Sequence, residues 1–288
     1  MVRTVSNRQL QIEASVSKEL GALRVEVKQS VKKLTIFFLF GVLFVGLLLS
    51  ASASADDRQM NNVYQHMFVK TENPHKLDGI VVIFPEFWGP TGFISDAANR
   101  LSRMGYHVLA IDFYGKGHIA TTPQEASHLF MQLQSNPEQL FKSVNKKLRE
   151  LGYVDPQKIY GISFSAGNIL MLGYQEQYEA SFSKMISVYG RIPSPSKLLQ
   201  GDYLIINGED DQSVTENDLK NIVKKFSTPP KVLQLENSMH MFLNPAADEV
   251  AERFGRPVQF NAEATVIAWR AIESFFSSGN DIFGMEKK

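Results

Sequence analysis

Short apolar runs, separated by polar turns that contain glycine, recur along the later part of the chain. Runs of this length without polar alternation predict strands that are buried on both faces of a parallel sheet. They lie at residues 159–162, 203–207 and 231–236, and a further strand is predicted to end near Gly115. Between and after them, apolar residues spaced by three and four predict helices. These lie at 123–133, 137–151 and 262–276. The alternation predicts an α/β fold.

The turn after the first of these strands carries the strongest chemical signal. Residues 163–167 read Ser-Phe-Ser-Ala-Gly, and small residues here permit the sharp strand-to-helix turn called the nucleophile elbow. Such a turn exposes one hydroxyl, which predicts Ser165 as a nucleophile, with Ser163 replacing the first glycine of the usual G-x-S-x-G pattern. A rival frame, residues 161–165, makes Ser163 the nucleophile, but it leaves a strand too short for its Asp-Pro lead-in.

Two later loops supply partners for a serine nucleophile. Asp211 follows the second predicted strand at the edge where open α/β sheets place their sites, although Glu209 and Asp210 compete for the same role. His240 lies in the loop after the third strand. The order serine, aspartate, histidine is typical of α/β-hydrolases, so we interpret the three as nucleophile, acid and base.

The ordered series of motifs resembles the dienelactone hydrolase family of the α/β-hydrolase superfamily, over about residues 78–276. The resemblance implies an α/β-hydrolase fold, with a mostly parallel central sheet and helices on both faces. It also implies hydrolysis of small esters or lactones. The pieces that carry it are residues 79–89, 105–115, 188–190 and 208–211, with His240 and Phe242.

The resemblance assigns a role to each matching position. The nucleophile of the family falls on Ser165, its acid on Asp211 and its base on His240. The donors of the oxyanion hole fall on the backbone N–H groups of Phe87 and Ala166.

Three further positions bear on the substrate. Glu86 matches a glutamate that contacts the nucleophile in this family, and we expect it to line the site together with Trp88. The usual nucleophile of the family is cysteine, which this chain lacks, so Glu86 has no thiolate partner. Lys116 and Arg191 are basic candidates for a carboxylate-bearing substrate, but charged loop residues are usually solvated, and both are left outside the predicted site.

The chain between two of the predicted strands is short. About forty residues separate the strand that ends near Gly115 from the strand that begins at Lys158, and two helices occupy them. This predicts a hydrolase with no large cap domain, an open site and small substrates.

The amino-terminal part of the chain has the pattern of a targeting signal. Residues 34–49 are an uninterrupted apolar run with two lysines before it and an Ala/Ser stretch after it. This pattern is typical of a bacterial signal peptide cleaved near Ala55, which predicts a periplasmic or secreted enzyme. In the alternative, residues 34–55 stay as an inner-membrane anchor with the catalytic domain, residues 56–288, outside the cytoplasm.

Residues 1–33 are too long for the basic leader of a signal peptide. They are interpreted either as an untranslated leader, with Val31 as a non-ATG initiation codon, or as a cytoplasmic tail that obeys the positive-inside rule.

The composition of the chain limits the kinds of ligand and binding partner that it predicts. The chain has 30 Lys and Arg residues against 30 Asp and Glu, and no basic patch interleaved with aromatic residues, so nucleic-acid binding is not predicted. The histidines lack metal-binding spacing and no glycine-rich phosphate loop stands out, so neither a metal nor a cofactor is predicted. Two other functions stay open at this stage: a non-catalytic binding module of the same fold, and a peptidase of the same fold.

Overall fold

The computed structural model describes residues 63–73, 75, 77–178 and 181–277. The predicted leader and the apolar run at 34–49 lie outside these residues, so cleavage and membrane attachment stay predictions. Within the described ranges, no helix combines the length and the apolar character needed to cross a bilayer.

Seven strands form one sheet in the order β1-β3-β2-β4-β5-β6-β7. Strands β2 to β7 run parallel, and the short β1 pairs antiparallel with β3 at one edge. The strands are β1 Met67–Val69, β2 Gly79–Phe84, β3 Tyr106–Ala110, β4 Ile159–Phe164, β5 Lys184–Val188, β6 Asp202–Gly208 and β7 Lys231–Leu235.

Seven helices connect and cover these strands in the described part of the chain. They are α1 Gly92–Met104, α2 Pro123–Ser135, α3 Glu138–Glu150, α4 Gly167–Gln177, α5 Glu216–Val223, α6 Ala247–Phe254 and α7 Ala262–Ser277. Buried residues of α1 and α7 pack on one face of the sheet, and those of α2 to α5 pack on the other. The predicted mostly parallel sheet with helices on both faces is therefore confirmed.

The centre of the sheet explains why the apolar runs are unbroken. Strands β2 and β4 are neighbours, and every residue of both is buried. Side chains alternate between the two faces of a strand. Val81 and Ile83 therefore enter one core, while Ile80, Val82 and Phe84 enter the other.

The predicted helices are present with small changes at their ends. The first runs two residues further, to Ser135, and begins where the side chain of Thr122 accepts a hydrogen bond from the N–H of Glu125. The last contributes Trp269 and Phe275 to the core, as expected. Two helices and their turns fill the segment between β3 and β4, so the prediction of no large cap is confirmed.

The strand order decides which loops meet. Because β4 lies between β2 and β5, the loop that carries Glu86 and Phe87 lies beside the turn that carries Ser165. The loops after β6 and β7 bring Asp211 and His240 to the same edge, since the carboxyl ends of parallel strands point the same way.

Candidate active site

The backbone at Ser165 is strained in the way that an elbow requires. Ser165 joins β4 to α4 with a φ of 52°, in the left-handed region that side chains rarely adopt. Its carbonyl oxygen accepts hydrogen bonds from the N–H groups of Asn168 and Arg191, each at 3.2 Å. A Cβ on Gly167 would lie 2.3 Å from the carbonyl oxygen of Pro85, so only glycine fits after this turn.

The two serines of the elbow have different surroundings. The hydroxyl of Ser163 is fully buried in β4, 3.2 Å from the carbonyl oxygen of Ile186 and 3.2 Å from Oδ1 of Asn168. The hydroxyl of Ser165 lies 2.8 Å from Nε2 of His240, and Ser165 lines an open cavity. The geometry therefore favours the frame that uses Ser165 over the rival frame.

His240 links the serine to a carboxylate. Its Nδ1 lies 2.8 Å from Oδ2 of Asp211, and because a carboxylate can only accept, Nδ1 carries the proton. Nε2 is then free to accept the hydroxyl proton of Ser165. Asp211 is buried, whereas its competitors Glu209 and Asp210 are exposed. Of the three acidic residues, Asp211 is the one that contacts His240.

Ser213 is a site residue that the sequence reasoning missed. Its N–H donates to Oδ1 of Asp211 at 2.8 Å, its hydroxyl donates to the same oxygen, and its Oγ lies 3.0 Å from Nδ1 of His240. Burial acts to raise the pKa of Asp211, but the hydrogen bonds and charge of His240 and the bonds from Ser213 outweigh it and hold that pKa below its usual value. The spacing Asp-x-Ser after a strand is the signal that could have revealed it.

Glu86 lies next to these residues but forms no hydrogen bond with Ser165. It is 1% exposed, and its Oε2 accepts a hydrogen bond from Nδ2 of Asn244 at 2.8 Å. Burial raises the pKa of Glu86 to about 7, although the charge of His240 and the bond from Asn244 oppose the rise. Glu86 and Trp88 both line the cavity that Ser165 lines.

Tyr189 completes the buried side of the site. Its ring centroid lies 5.3 Å from that of His240, edge to face, and its φ of 40° is strained. Burial and the neighbouring Glu86 raise the pKa of Tyr189 well above its usual value. The buried hydroxyl of Tyr189 interacts with the buried carboxyl of Glu86. Nothing in the sequence pattern indicated either this pair or Asn244.

The predicted oxyanion donors belong to the loop after β2 and to the turn that carries the nucleophile. Phe87 follows β2, and Ala166 is the residue that precedes α4. Neither N–H donates a hydrogen bond to the backbone of another described residue. Both residues line the same cavity as Ser165, and the amino terminus of α4 adds partial positive charge there.

The cavity above Ser165 has a volume of about 480 Å³, which lies within the range of small-molecule sites. Phe87, Trp88 and Ile169 are among its apolar walls. The sequence reasoning left Arg191 outside the site and missed Arg256, but both line this cavity.

Arg256 reaches the site through a loop that returns to the histidine. Residue Val258 forms an isolated parallel bridge with His240 in this loop. The guanidinium of Arg256 lies 5.9 Å from the centre of the Phe87 ring. No local sequence signal marked it, because its contacts are distant along the chain. Lys116, the other basic candidate, is not among the residues that line the cavity.

A mostly parallel sheet with a strained serine between a strand and a helix defines the class of the protein, which is an α/β-hydrolase fold. The model of the dienelactone hydrolase family matches residues 65–279, which is most of the chain. The chain therefore belongs to the dienelactone hydrolase family, whose members hydrolyse esters and lactones.

Individual relatives are distant. A protein of Saccharolobus solfataricus described as a "Putative carboxymethylenebutenolidase" is 23% identical over 245 residues, which cover 71% of this chain and 90% of that protein. The crystal structure of a dienelactone hydrolase-like promiscuous phosphotriesterase from metagenomic libraries is 21% identical, with a TM-score of 0.67 over 76% of this chain and 94% of that one. A structure called m3DLH is 19% identical, with a TM-score of 0.62 over 74% and 98%. At these identities the two structures support the fold alone.

Proposed function

We propose that this protein is a serine hydrolase that cleaves small ester or lactone substrates through an acyl-enzyme. Ser165 acts as nucleophile, His240 as general base and Asp211 as the acid that orients His240. One observation carries the proposal: two hydrogen bonds of 2.8 Å join the serine hydroxyl to the imidazole and the imidazole to the buried carboxylate.

The first half of the reaction follows from these positions. The hydroxyl of Ser165 has too high a pKa to ionise at rest, so His240 accepts its proton as Oγ attacks the ester carbonyl carbon. Asp211 keeps the imidazole in the productive tautomer and stabilises its positive form. The N–H groups of Phe87 and Ala166 bind the developing oxyanion. The ester C–O bond breaks, and His240 gives its proton to the leaving alcohol oxygen.

The second half returns the enzyme to its starting state. His240 removes a proton from water, the resulting hydroxide attacks the acyl carbon, and the bond to Ser165 Oγ breaks. The proton held by His240 passes to Oγ, and the carboxylic acid leaves. With a lactone, the alcohol and the acid belong to one product molecule.

The cavity and the missing cap favour small substrates. The cavity has room for one small ester, and two exposed arginines, Arg191 and Arg256, bring positive charge to it.

The enzyme acts outside the cytoplasm in this proposal, either after cleavage near Ala55 or held in the membrane by residues 34–55. N-terminal sequencing of the mature protein from cell fractions distinguishes the two, and a soluble cytoplasmic product would contradict both.

The test is labelling of the full chain by a fluorophosphonate probe, scored with hydrolysis of p-nitrophenyl acetate. We expect Ser165→Ala to lose labelling and at least about a thousandfold in kcat, because the triad acts as a unit. Ser163→Ala is the matched control, and the folded variant should keep both the labelling and the kcat of the parent. Labelling of Ser165→Ala, or an unlabelled parent protein, would contradict the proposal, and the second result would favour a non-catalytic module.

A further inference from the structure

A second cavity lies directly beside the catalytic one. Its volume is about 450 Å³, and it shares the wall residues Trp88, Met241 and Val250 with the catalytic cavity. Phe93 and Phe254 are among its other walls and make much of its lining apolar. The two cavities therefore adjoin each other at these three side chains.

The indole of Trp88 is the largest part of this partition, and its neighbours hold it. The residue is 7% exposed. Its ring stacks on Phe254 with centroids 6.0 Å apart and meets Phe87 edge to face at 4.6 Å. Because rings fix it from both sides, we expect the partition to stay closed in the free protein.

Packing alone does not explain an indole at this position. Nε1 of Trp88 and Oγ1 of Thr91, which also lines the second cavity, are both buried without a hydrogen-bond partner among the described residues. A buried N–H without an acceptor carries a cost that a phenyl ring would avoid. Unpaired buried polar groups are uncommon in folded proteins, so each one needs an explanation.

The second cavity also touches the buried side of the site. Asn244 lines it and donates to Glu86, and Met241 directly follows His240 in the chain. The cavity is thus continuous with the residues that surround the reacting atoms and is not an isolated defect of the surface.

We propose that the second cavity extends the acyl-binding site and that Trp88 sets the length of acyl chain that the enzyme accepts. This inference rests on the proposed esterase function. Phe87 supplies an N–H for the acyl carbonyl oxygen, and Trp88 is the next residue, so the chain attached to that carbonyl begins beside the indole. With the indole in place, the enzyme favours short acyl chains. Without it, the apolar second cavity receives longer ones.

The experiment compares p-nitrophenyl acetate, butyrate and octanoate as substrates of the full chain, Trp88→Ala and Trp88→Phe. We expect Trp88→Ala to raise the ratio of kcat/KM for octanoate to kcat/KM for acetate by at least about tenfold. An apolar pocket that accepts one more methylene changes kcat/KM by about 10–200-fold. Trp88→Phe keeps a ring in the partition and should stay close to the parent ratio. Thermal unfolding followed by circular dichroism verifies that each variant is folded.

The outcomes separate the two proposals. If the parent protein does not hydrolyse acetate at all, the esterase function fails. If acetate is hydrolysed but Trp88→Ala leaves the ratio unchanged, the role of the second cavity is wrong. A shift confined to a series of alkyl acetates of increasing alcohol length would overturn the assignment to the acyl side.

Discussion

The two central strands and the loops at the carboxyl edge of the sheet follow different rules. In β2 and β4 every residue is buried, and the register of the two strands is regular. In the loops after β4, β5 and β7, Ser165, Tyr189 and Met241 respectively adopt positive φ values. Nε1 of Trp88, which is buried without a partner among the described residues, lies in the loop after β2.

This difference shows how stability and chemistry are divided. The strands bury apolar side chains on both faces, which is the main stabilising contribution in such sheets. The loops hold strained backbone and unpaired polar groups, each of which costs free energy and persists only when its surroundings fix it. The sheet therefore stabilises the conformation that the site requires.

Truncation of a buried side chain in a central strand tests whether the sheet supplies the stability of the fold. Ile162 in β4 is fully buried in one of the cores. We expect Ile162→Ala to lower the free energy of unfolding by about 2–5 kcal/mol, because it removes apolar contacts and leaves a cavity. Urea denaturation measures the loss. Val154→Ala, at a site that is 73% exposed, is the control and should change little. If Ile162→Ala kept the free energy of unfolding of the parent but lowered kcat, the division between a stabilising sheet and reactive loops would be wrong.

Glu86→Gln tests how much the buried carboxyl of Glu86 lowers the stability of the folded protein as pH rises. Its pKa of about 7 in the folded protein lies above the ordinary value of 4.5, so the unfolded chain releases this proton first as pH rises. The folded protein should therefore lose stability between these two pKa values, by roughly 3 kcal/mol in total. Glu86→Gln keeps an oxygen for Asn244 and removes the titration.

The measurement is the free energy of unfolding at about pH 5, near the lower of these two pKa values, and at about pH 8, above the higher one. The parent protein should be less stable at the higher pH through this group, and Glu86→Gln should reduce the difference. An equal difference in both proteins would show that Glu86 does not titrate in this range.

Ser213→Ala should have the smallest effect. It removes the hydroxyl that donates to Asp211, while the backbone N–H still donates to the same oxygen. One hydrogen bond of this kind contributes about 1 kcal/mol, so kcat/KM for p-nitrophenyl acetate should fall roughly fivefold. Ser213→Thr keeps the hydroxyl and should restore most of the rate. No change in Ser213→Ala would show that the N–H of residue 213 suffices.

Much of the fold and part of the candidate site could be predicted from local pattern. Unbroken apolar runs indicated the central strands, and small residues around Ser165 indicated the elbow. The loops of Asp211 and His240 were found because each follows such a strand. Ser213, Asn244 and Arg256 were missed because their importance comes from contacts between distant parts of the chain, which no local period reveals.

The sequence by itself determined the alternation of strands and helices, the sharp turn at Ser165 and the family to which the chain belongs. These depend on local sterics and on which residues can be buried. Only the tertiary structure decided that Ser165 rather than Ser163 contacts His240, that Arg191 lines the cavity, and that Trp88 divides two cavities. These depend on which loops the strand order brings together at one edge of the sheet.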